Sequence, residues 1–233
     1  MRLIRFGEPG EEKPGILDDN YQIRSLAKLL KDIDGSVLSE DCLETVALKR
    51  TENLPIVESG TRIGPCLNDV ETMLFIDACN DLANTSPKRM SKPTLHGSQD
   101  KIFVATSEPI ELALGIAIGE DTSIAGYCLC TKAGTKILIG PWLVTCDEFK
   151  NPEKLKWSFA SKEGTGNSSG SAQLPIHPQD LVSEIASQQL LVAGDIIAVV
   201  FKAVPVEAAP SNGCEEFRTS IEGLGTQSPY TKS

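Results

Sequence analysis

The cysteines and histidines are the first residues in this sequence whose types and spacing could support chemistry. Cys128 and Cys130 form a C-x-C motif, and residues two apart in a strand place their side chains on the same face. Two such thiols could start a zinc site, but the only histidines are His96 and His177, and no second pair stands at ligand spacing. Free cysteine is common in protein cores, so the motif favours buried thiols over a metal site.

Composition limits the class of protein. The chain has 233 residues, 40% of them hydrophobic, which suffices for one sizeable core or for one domain with a small satellite. A net charge of −10 repels phosphate backbones and argues against nucleic-acid binding. The longest apolar run, residues 196–201, has the length of a strand, and the first residues lack the features of a signal peptide. We therefore expect a cytoplasmic protein without membrane association.

The pattern along the chain predicts a mostly β protein of the α+β class. Residues 1–66 read as a small N-terminal α+β unit, 67–228 as a domain rich in strands, and 229–233 as a tail. Apolar strands are predicted at 113–119, 124–130 and 196–201, and a helix begins at Pro178. Helical spacing of apolar residues predicts a further helix over 26–33, and Ser39 caps the next one.

Five phrases, in order along nearly the whole chain, resemble the fumarylacetoacetate hydrolase family. The similarity is greatest to its single-domain bacterial branch of ureidoglycolate lyases and 2-hydroxyhepta-2,4-diene-1,7-dioate isomerases. The phrases are MRLIRFGEPG with KPGILD, RIGPC at 62–66, GPWLVT at 140–145, GDII at 194–197 and IEGLG at 221–225. The resemblance implies a β-roll with a small N-terminal α+β unit.

The resemblance also implies where a metal would be bound. Members of the family hold magnesium or manganese with a Glu-x-Glu pair on one strand and an Asp on a later strand, a set that suits hard cations. The metal polarises an oxygen of a small oxo-acid, so that a C–C bond can break or a double bond can move. In this sequence Glu111 matches the first ligand, Ala113 the second and Lys132 the third. One carboxylate of three remains, so no metal cofactor is expected.

Other parts of the implied pocket differ as well. Asn80 survives from a phrase that precedes the family's general base, but Asn84 stands at the histidine position and cannot carry a proton at neutral pH. Ser168 and Ser169 match a Ser/Thr-rich phrase that lines the site, although a solvated loop is an equal interpretation. A segment after Lys136 is missing, and residues 199–202 replace a glycine-rich loop.

Three functions remain open on these grounds. The first is the family's own lyase, hydrolase or isomerase chemistry, which the losses weaken. The second is a non-catalytic structural or regulatory partner of an active paralogue. The third is a repurposed enzyme that works without a metal, with Lys132 and Glu111 as the candidate catalytic groups. The resemblance further implies a small oxo-acid ligand and a dimer, either a homodimer or a heterodimer with a paralogue.

Glu111 and Lys132 carry the sharpest expectation. A lone, partly buried carboxylate either protonates or finds a cation, and Lys132 is predicted at the end of the neighbouring strand. We therefore predict an ion pair between them at the position of the family's metal. The alternative is a solvated lysine in the turn that contains Gly134.

Overall fold

The computed structural model describes residues 1–78, 86–105, 109–161, 167–204, 214–228 and 230–232. Two sheets and two α-helices account for most of these residues, which confirms a mostly β fold of the α+β class. Within the described ranges, no helix is both long and apolar enough to span a bilayer.

The N-terminal unit is built on a three-stranded antiparallel arrangement followed by one α-helix. Its elements are β1 (Arg2–Phe6), β2 (Lys13–Leu17), β3 (Ile23–Ser25) and α1 (Glu40–Ala47). The Ser39 side chain accepts a hydrogen bond from the Cys42 amide and caps α1, as predicted.

The helix predicted over residues 26–33 is absent. The amides of Leu29 and Leu30 bond back to the Leu26 carbonyl, which makes one turn and no more. Leu26 and Ile33 are fully buried, but Leu29 is exposed, so the apolar residues do not form one buried helical face. Helical spacing of leucines was therefore a misleading signal at this position.

The larger sheet holds eleven strands among the described residues. In spatial order the main path runs β3-β2-β1-β11-β9-β8-β14-β4-β5, and β10 and β6 extend from β9. Most neighbours are antiparallel, but β14 with β4 and β10 with β6 are parallel. The remaining strands of this sheet are β4 (Thr72–Asp77), β5 (Lys88–Ser91), β6 (Leu95–His96), β8 (Ile110–Ile118), β9 (Ile124–Ala133), β10 (Lys136–Ile139), β11 (Leu143–Thr145) and β14 (Ile196–Val204).

The smaller sheet has six strands in the described part of the chain, ordered β13-β12-β15-β17-β7, with β16 against β15. Its strands are β7 (Phe103–Ala105), β12 (Lys154–Ser161), β13 (Ser168–Gln173), β15 (Cys214–Ile221), β16 (Gly225–Gln227) and β17 (Tyr230–Lys232). Helix α2 (Pro178–Gln188) begins at the predicted proline and buries Leu181, Val182 and Ile185.

Side-chain alternation along β8 divides the interior into two clusters. Leu112, Leu114 and Ile116 join a cluster that includes residues of the smaller sheet and of α2. Ala113 and Ala117 point to the opposite face and join a cluster that includes residues of the N-terminal unit. Glu111, at the start of the same alternation, belongs to this second face.

The two predicted units share one sheet. In β1, Arg2 and Leu3 pair with Val144 and Leu143 of β11, so the N-terminal strands extend the large sheet. At the other end, β17 lies in the segment that the sequence assigned to a tail, and it pairs with both β15 and β7. The boundary at residue 66 stays a prediction.

Candidate functional site

The predicted metal position lies on two adjacent strands of the large sheet. In the antiparallel register of β8 and β9, Glu111 stands directly opposite Lys132. Directly opposed side chains share one face and lie close enough to interact. The Lys132 Nζ is 2.5 Å from the Glu111 Oε2. The predicted ion pair is therefore present.

This pair is neither in the core nor free in water. The Lys132 side chain is 15% exposed and that of Glu111 is 28% exposed. The alternative of a solvated turn lysine is wrong, because Lys132 belongs to β9 and the turn begins only after Ala133. The hydrogen-bonded contact between ionised groups at this depth is stronger than a typical surface pair.

An aromatic ring also faces the ammonium. The Lys132 Nζ lies 5.6 Å from the centroid of the Phe75 ring, within the range of a cation–π contact. Phe75 is on β4, three strand positions from β9 in the sheet order, which would be about 14 Å in a flat sheet. The two side chains therefore extend towards each other over the face of the sheet that also holds Ala113.

The second and third ligand positions offer no oxygen to a metal. Ala113 is fully buried and pairs with Cys130, so only a methyl group stands where the family has a carboxylate. Lys132 brings a positive charge to the third position. Its ammonium donates a hydrogen bond to Glu111, the one remaining carboxylate. Within the described ranges, no group of three or more His, Cys, Asp or Glu side chains is arranged to hold a metal ion. This donor set does not fit magnesium or manganese.

The thiols near the pair are core residues, as the C-x-C motif indicated. Cys128 and Cys130 are buried, and Cys66 packs beside them from the linker. A hydrogen bond with Cys128 and burial raise the pKa of the Cys66 thiol well above its ordinary value. Burial and the neighbouring Cys128 do the same to the pKa of Cys130. The thiols of Cys66 and Cys130 are therefore protonated and poor nucleophiles.

The other predicted pocket residues fall outside the described residues or on the smaller sheet. Asn80 and Asn84 lie outside the described residues. Ser168 and Ser169 belong to β13 of the smaller sheet, opposite Phe159 and Ser158. Their role in a pocket stays a prediction.

The two histidines have different surroundings. The His177 Nδ1 accepts a hydrogen bond from the Gln179 amide and caps α2. His96 lies on β6, and its Nε2 is buried without a hydrogen-bond partner among the described residues. Burial and Lys136 lower the pKa of the His96 imidazole, while Asp100 acts in the opposite direction.

A network of ion pairs that no sequence motif indicated joins the N-terminal unit to the loop that carries Asp100. Arg5 bonds to Asp32 through its Nε at 2.6 Å and its Nη2 at 3.0 Å. Arg62 bonds to Asp100 in the same two-point manner, at 2.7 and 2.9 Å. Glu12 accepts from Arg62 at 2.9 Å and lies 3.5 Å from Arg5.

We call these five residues the seam network. Four of them, all but Asp32, line a cleft of about 430 Å³, and His96 lines it as well. Although burial acts the other way, the carboxylates of Asp100 and Glu12 raise the pKa of the Arg62 guanidinium. Apart from Arg5 and Glu12, the five charged residues lie far apart in the sequence, so no local motif could reveal the network. This pairing favours a role in stability over ligand binding, because the carboxylates of the network already neutralise each guanidinium.

Comparison with known proteins supports the fold and a general class. No family model matches the chain. A protein of Burkholderia multivorans named "Putative hydrolase" is 26% identical, and the match covers 100% of this chain and 99% of the relative. That alignment extends over 287 positions, although this chain has 233 residues, so parts of the relative have no counterpart here.

Solved structures agree more closely in fold than in sequence. Maleylpyruvate hydrolase from Sphingobium, in complex with manganese and pyruvate, superposes with a TM-score of 0.79 at 17% identity, covering 99% of this chain and 98% of that one. Fumarylacetoacetate hydrolase from Exiguobacterium antarcticum superposes with a TM-score of 0.75, also at 17% identity, covering 100% and 99%. The resemblance found in the sequence is confirmed, and the chain has the fumarylacetoacetate hydrolase fold.

Proposed function

We propose that this protein is a divergent member of the fumarylacetoacetate hydrolase family in which the ammonium of Lys132 takes the place of the divalent metal. It therefore lacks the metal-dependent activity on C–C bonds. The observation that carries the proposal is the 2.5 Å contact between Lys132 and Glu111. Through this contact, a cation of the protein itself already neutralises the one carboxylate that remains of the ligand set.

The physical argument is one of charge and ligand number. Magnesium and manganese need several oxygen ligands, and a site with one carboxylate beside an ammonium offers neither the charge nor the number. A divalent ion that entered would have to displace Lys132 from Glu111 and then lie beside an unpaired ammonium, which is repulsive at this distance.

Calorimetric titration with Mn²⁺ and Mg²⁺ tests the proposal. The wild-type protein should show no binding at millimolar concentrations. The double substitution Ala113→Glu with Lys132→Asp restores three carboxylates on the two strands and should gain Mn²⁺ binding. Lys136→Asp makes the same charge change as Lys132→Asp but at an exposed position of the adjacent strand, and as the control it should gain no Mn²⁺ binding.

One result would contradict the proposal, and two controls keep the test interpretable. Wild-type binding of Mn²⁺ tighter than millimolar, lost in Glu111→Ala, would show that the metal site is intact and the proposal wrong. Circular dichroism of the double variant is measured in parallel, because a carboxylate at the buried position 113 can disturb packing. Lys132→Asp alone gives a variant with two carboxylates and no change in the buried volume at 113.

A second candidate is metal-independent chemistry on a small oxo-acid at the same pair. The geometry favours it over a purely structural role for the site, because a hydrogen-bonded ammonium and carboxylate can donate and accept a proton respectively. Binding of pyruvate and related 2-oxo acids, measured by calorimetry, should then depend on Lys132 and be lost in Lys132→Met. Equal binding by wild type and variant, or none by either, would leave the non-catalytic partner as the better proposal.

We also propose that the chain assembles as a homodimer, or as a heterodimer with a paralogue. Similarity to the family supports this proposal. Light scattering at tens of micromolar should give twice the chain mass of 25.0 kDa for the homodimer. A monomeric mass for the chain alone, with a dimer formed on mixing with a paralogue, would support the heterodimer.

A further inference from the structure

A second cavity lies between helix α1 and the large sheet, away from the Glu111–Lys132 pair. Its volume is about 470 Å³, within the range of sites that hold small organic ligands. One face of α1 forms one wall through residues spaced at i, i+3, i+4 and i+7. The opposite wall comes from the start of β9 and the residues that end and follow β11. The helix contributes Glu40, Leu43, Glu44 and Ala47.

The floor of this α1 cavity is apolar. Leu38 is fully buried and Ala125 nearly so, and Leu43 and Ile124 are half-buried. Val46 anchors the other side of the helix in the core, so α1 is fixed in place while this face stays open. An apolar body placed in the cavity would therefore gain burial without moving the helix.

The rim carries negative charge that the neighbouring cations do not fully offset. The α-ammonium of Met1 pairs with Glu148 at 2.8 Å and lies 3.8 Å from Asp147. Arg2 also pairs with Glu148, at 2.7 Å. Both cations of this region are therefore paired with the carboxylates that follow β11, Asp147 and Glu148.

Glu40 and Glu44 remain on the other side of the rim, and no ion pair between described residues involves either of them. Glu40 lies in the first turn of α1, where the helix dipole favours a carboxylate. Glu44 is in the body of the helix and has no such compensation. Both side chains are on the face that lines the cavity.

We propose that the α1 cavity binds a small apolar cation, such as an aromatic or alkyl ammonium. Its apolar body would contact Leu38, Leu43 and Ile124, and its charged end would lie between Glu40 and Glu44. An apolar anion of the same shape is disfavoured, because the rim would repel it. The proposal is independent of the function assigned to Glu111 and Lys132.

The test compares two probes with the same ring and opposite charge, 2-phenylethylammonium and 3-phenylpropionate, in NMR titrations of the full chain. The ammonium should bind at least tenfold more tightly than the carboxylate. Glu44→Gln should weaken ammonium binding about fivefold, since it removes one exposed carboxylate near the charge. Glu184→Gln, an exposed glutamate on α2, is the matched control and should leave the affinity unchanged.

Two further measurements locate the site. Ala47→Leu adds volume at an exposed position of the cavity wall and should abolish binding without loss of stability. Cys146 lines the same cavity, so bound ammonium should slow its alkylation by iodoacetamide, followed by peptide mass spectrometry. Burial and Asp147 raise the pKa of the Cys146 thiol to about 11, while a hydrogen bond with Tyr127 acts in the opposite direction. The thiol therefore reacts slowly, and the labelling is run for long times at about pH 8, where an alkyl ammonium keeps its charge.

Several outcomes would overturn the proposal. Equal affinity for both probes would show that the rim charge does not select the ligand. Binding that survives Ala47→Leu, or leaves the alkylation of Cys146 unchanged, would place the ligand elsewhere. Affinity that falls as protein concentration rises would show that a second copy of the chain covers the cavity.

Discussion

The Glu111–Lys132 pair and the seam network are both built from ionised side chains, but they differ in depth and in the number of partners. Among the described residues, Glu111 and Lys132 each have one ionic partner, and their side chains are 28% and 15% exposed. In the seam network, Arg5 is 5% exposed and Glu12 is 7% exposed, and each guanidinium contacts two carboxylates. Multiple partners offset desolvation, so the network suits a structural role. A single, accessible partner leaves the pair free to exchange it for a ligand.

The largest effect is expected from Arg5→Ala. It leaves Asp32 and Glu12 buried with reduced compensation, and the free energy of unfolding should fall by about 3–5 kcal/mol. Urea denaturation followed by circular dichroism measures the change. Arg5→Lys keeps the charge but not the two-point geometry, and it should recover part of the loss. A loss below about 1 kcal/mol in Arg5→Ala would mean that the network contributes little.

A smaller effect is expected at the Glu111–Lys132 pair. Lys132→Ala should lower the free energy of unfolding by about 1–3 kcal/mol, between the values for buried and exposed pairs. Adding Glu111→Ala should restore part of this loss, because the unpaired carboxylate is then removed. The double-mutant cycle gives the coupling energy directly. Strictly additive effects would show that the two side chains do not interact in solution.

The free energy of unfolding should depend on pH through His96, which lies at the cleft lined by the seam network. Its pKa in the folded state is below the ordinary 6.5, so the unfolded chain takes up the proton first as the pH falls. The contribution of His96 is therefore fully present above pH 6.5 and is lost as the pH falls below it. His96→Gln should reduce the decline in stability between pH 7 and pH 5, measured by thermal melts. His177→Gln, an exposed cap of α2, serves as the control.

The smallest effect belongs to a pair outside both regions. Lys92 Nζ lies 3.4 Å from Glu71 Oε1, and the side chains are 78% and 51% exposed. Lys92→Ala should change the free energy of unfolding by less than about 0.5 kcal/mol, and added salt should erase even that. A loss as large as that of Lys132→Ala would remove the basis for ranking these pairs by burial.

The sequence allowed prediction of the pair but not of the network, for a physical reason. Strand alternation and the resemblance together placed Glu111 and Lys132 on neighbouring strands. The antiparallel register then sets the two side chains opposite each other. Arg5, Asp32 and Asp100 come together only through the tertiary fold, and no periodicity links them. Phe75 was missed in the same way, since only the order of the strands in the sheet brings its ring near Lys132.

The starts of α1 and α2 could be predicted from the sequence, whereas the conformation of residues 26–33 could not. Ser39 and Pro178 are local signals at helix starts, and both helices begin there. Apolar spacing over 26–33 failed because Leu26 and Ile33 are buried by separate tertiary contacts and Leu29 is not. Sequence signals predicted a helix correctly where a nearby residue starts it. They failed where packing against residues distant in the sequence decides the conformation.

The pairing of β1 with β11 has a consequence for how this chain is made. Arg2 and Leu3 meet their partners at residues 144 and 143, so β1 leaves the ribosome long before the strand that covers its far edge. Pairings of such long sequence separation form slowly, and an uncovered strand edge is a template for wrong partners. The first 66 residues are therefore poor candidates for expression alone, and removing them would uncover the edge of β11 in the remainder.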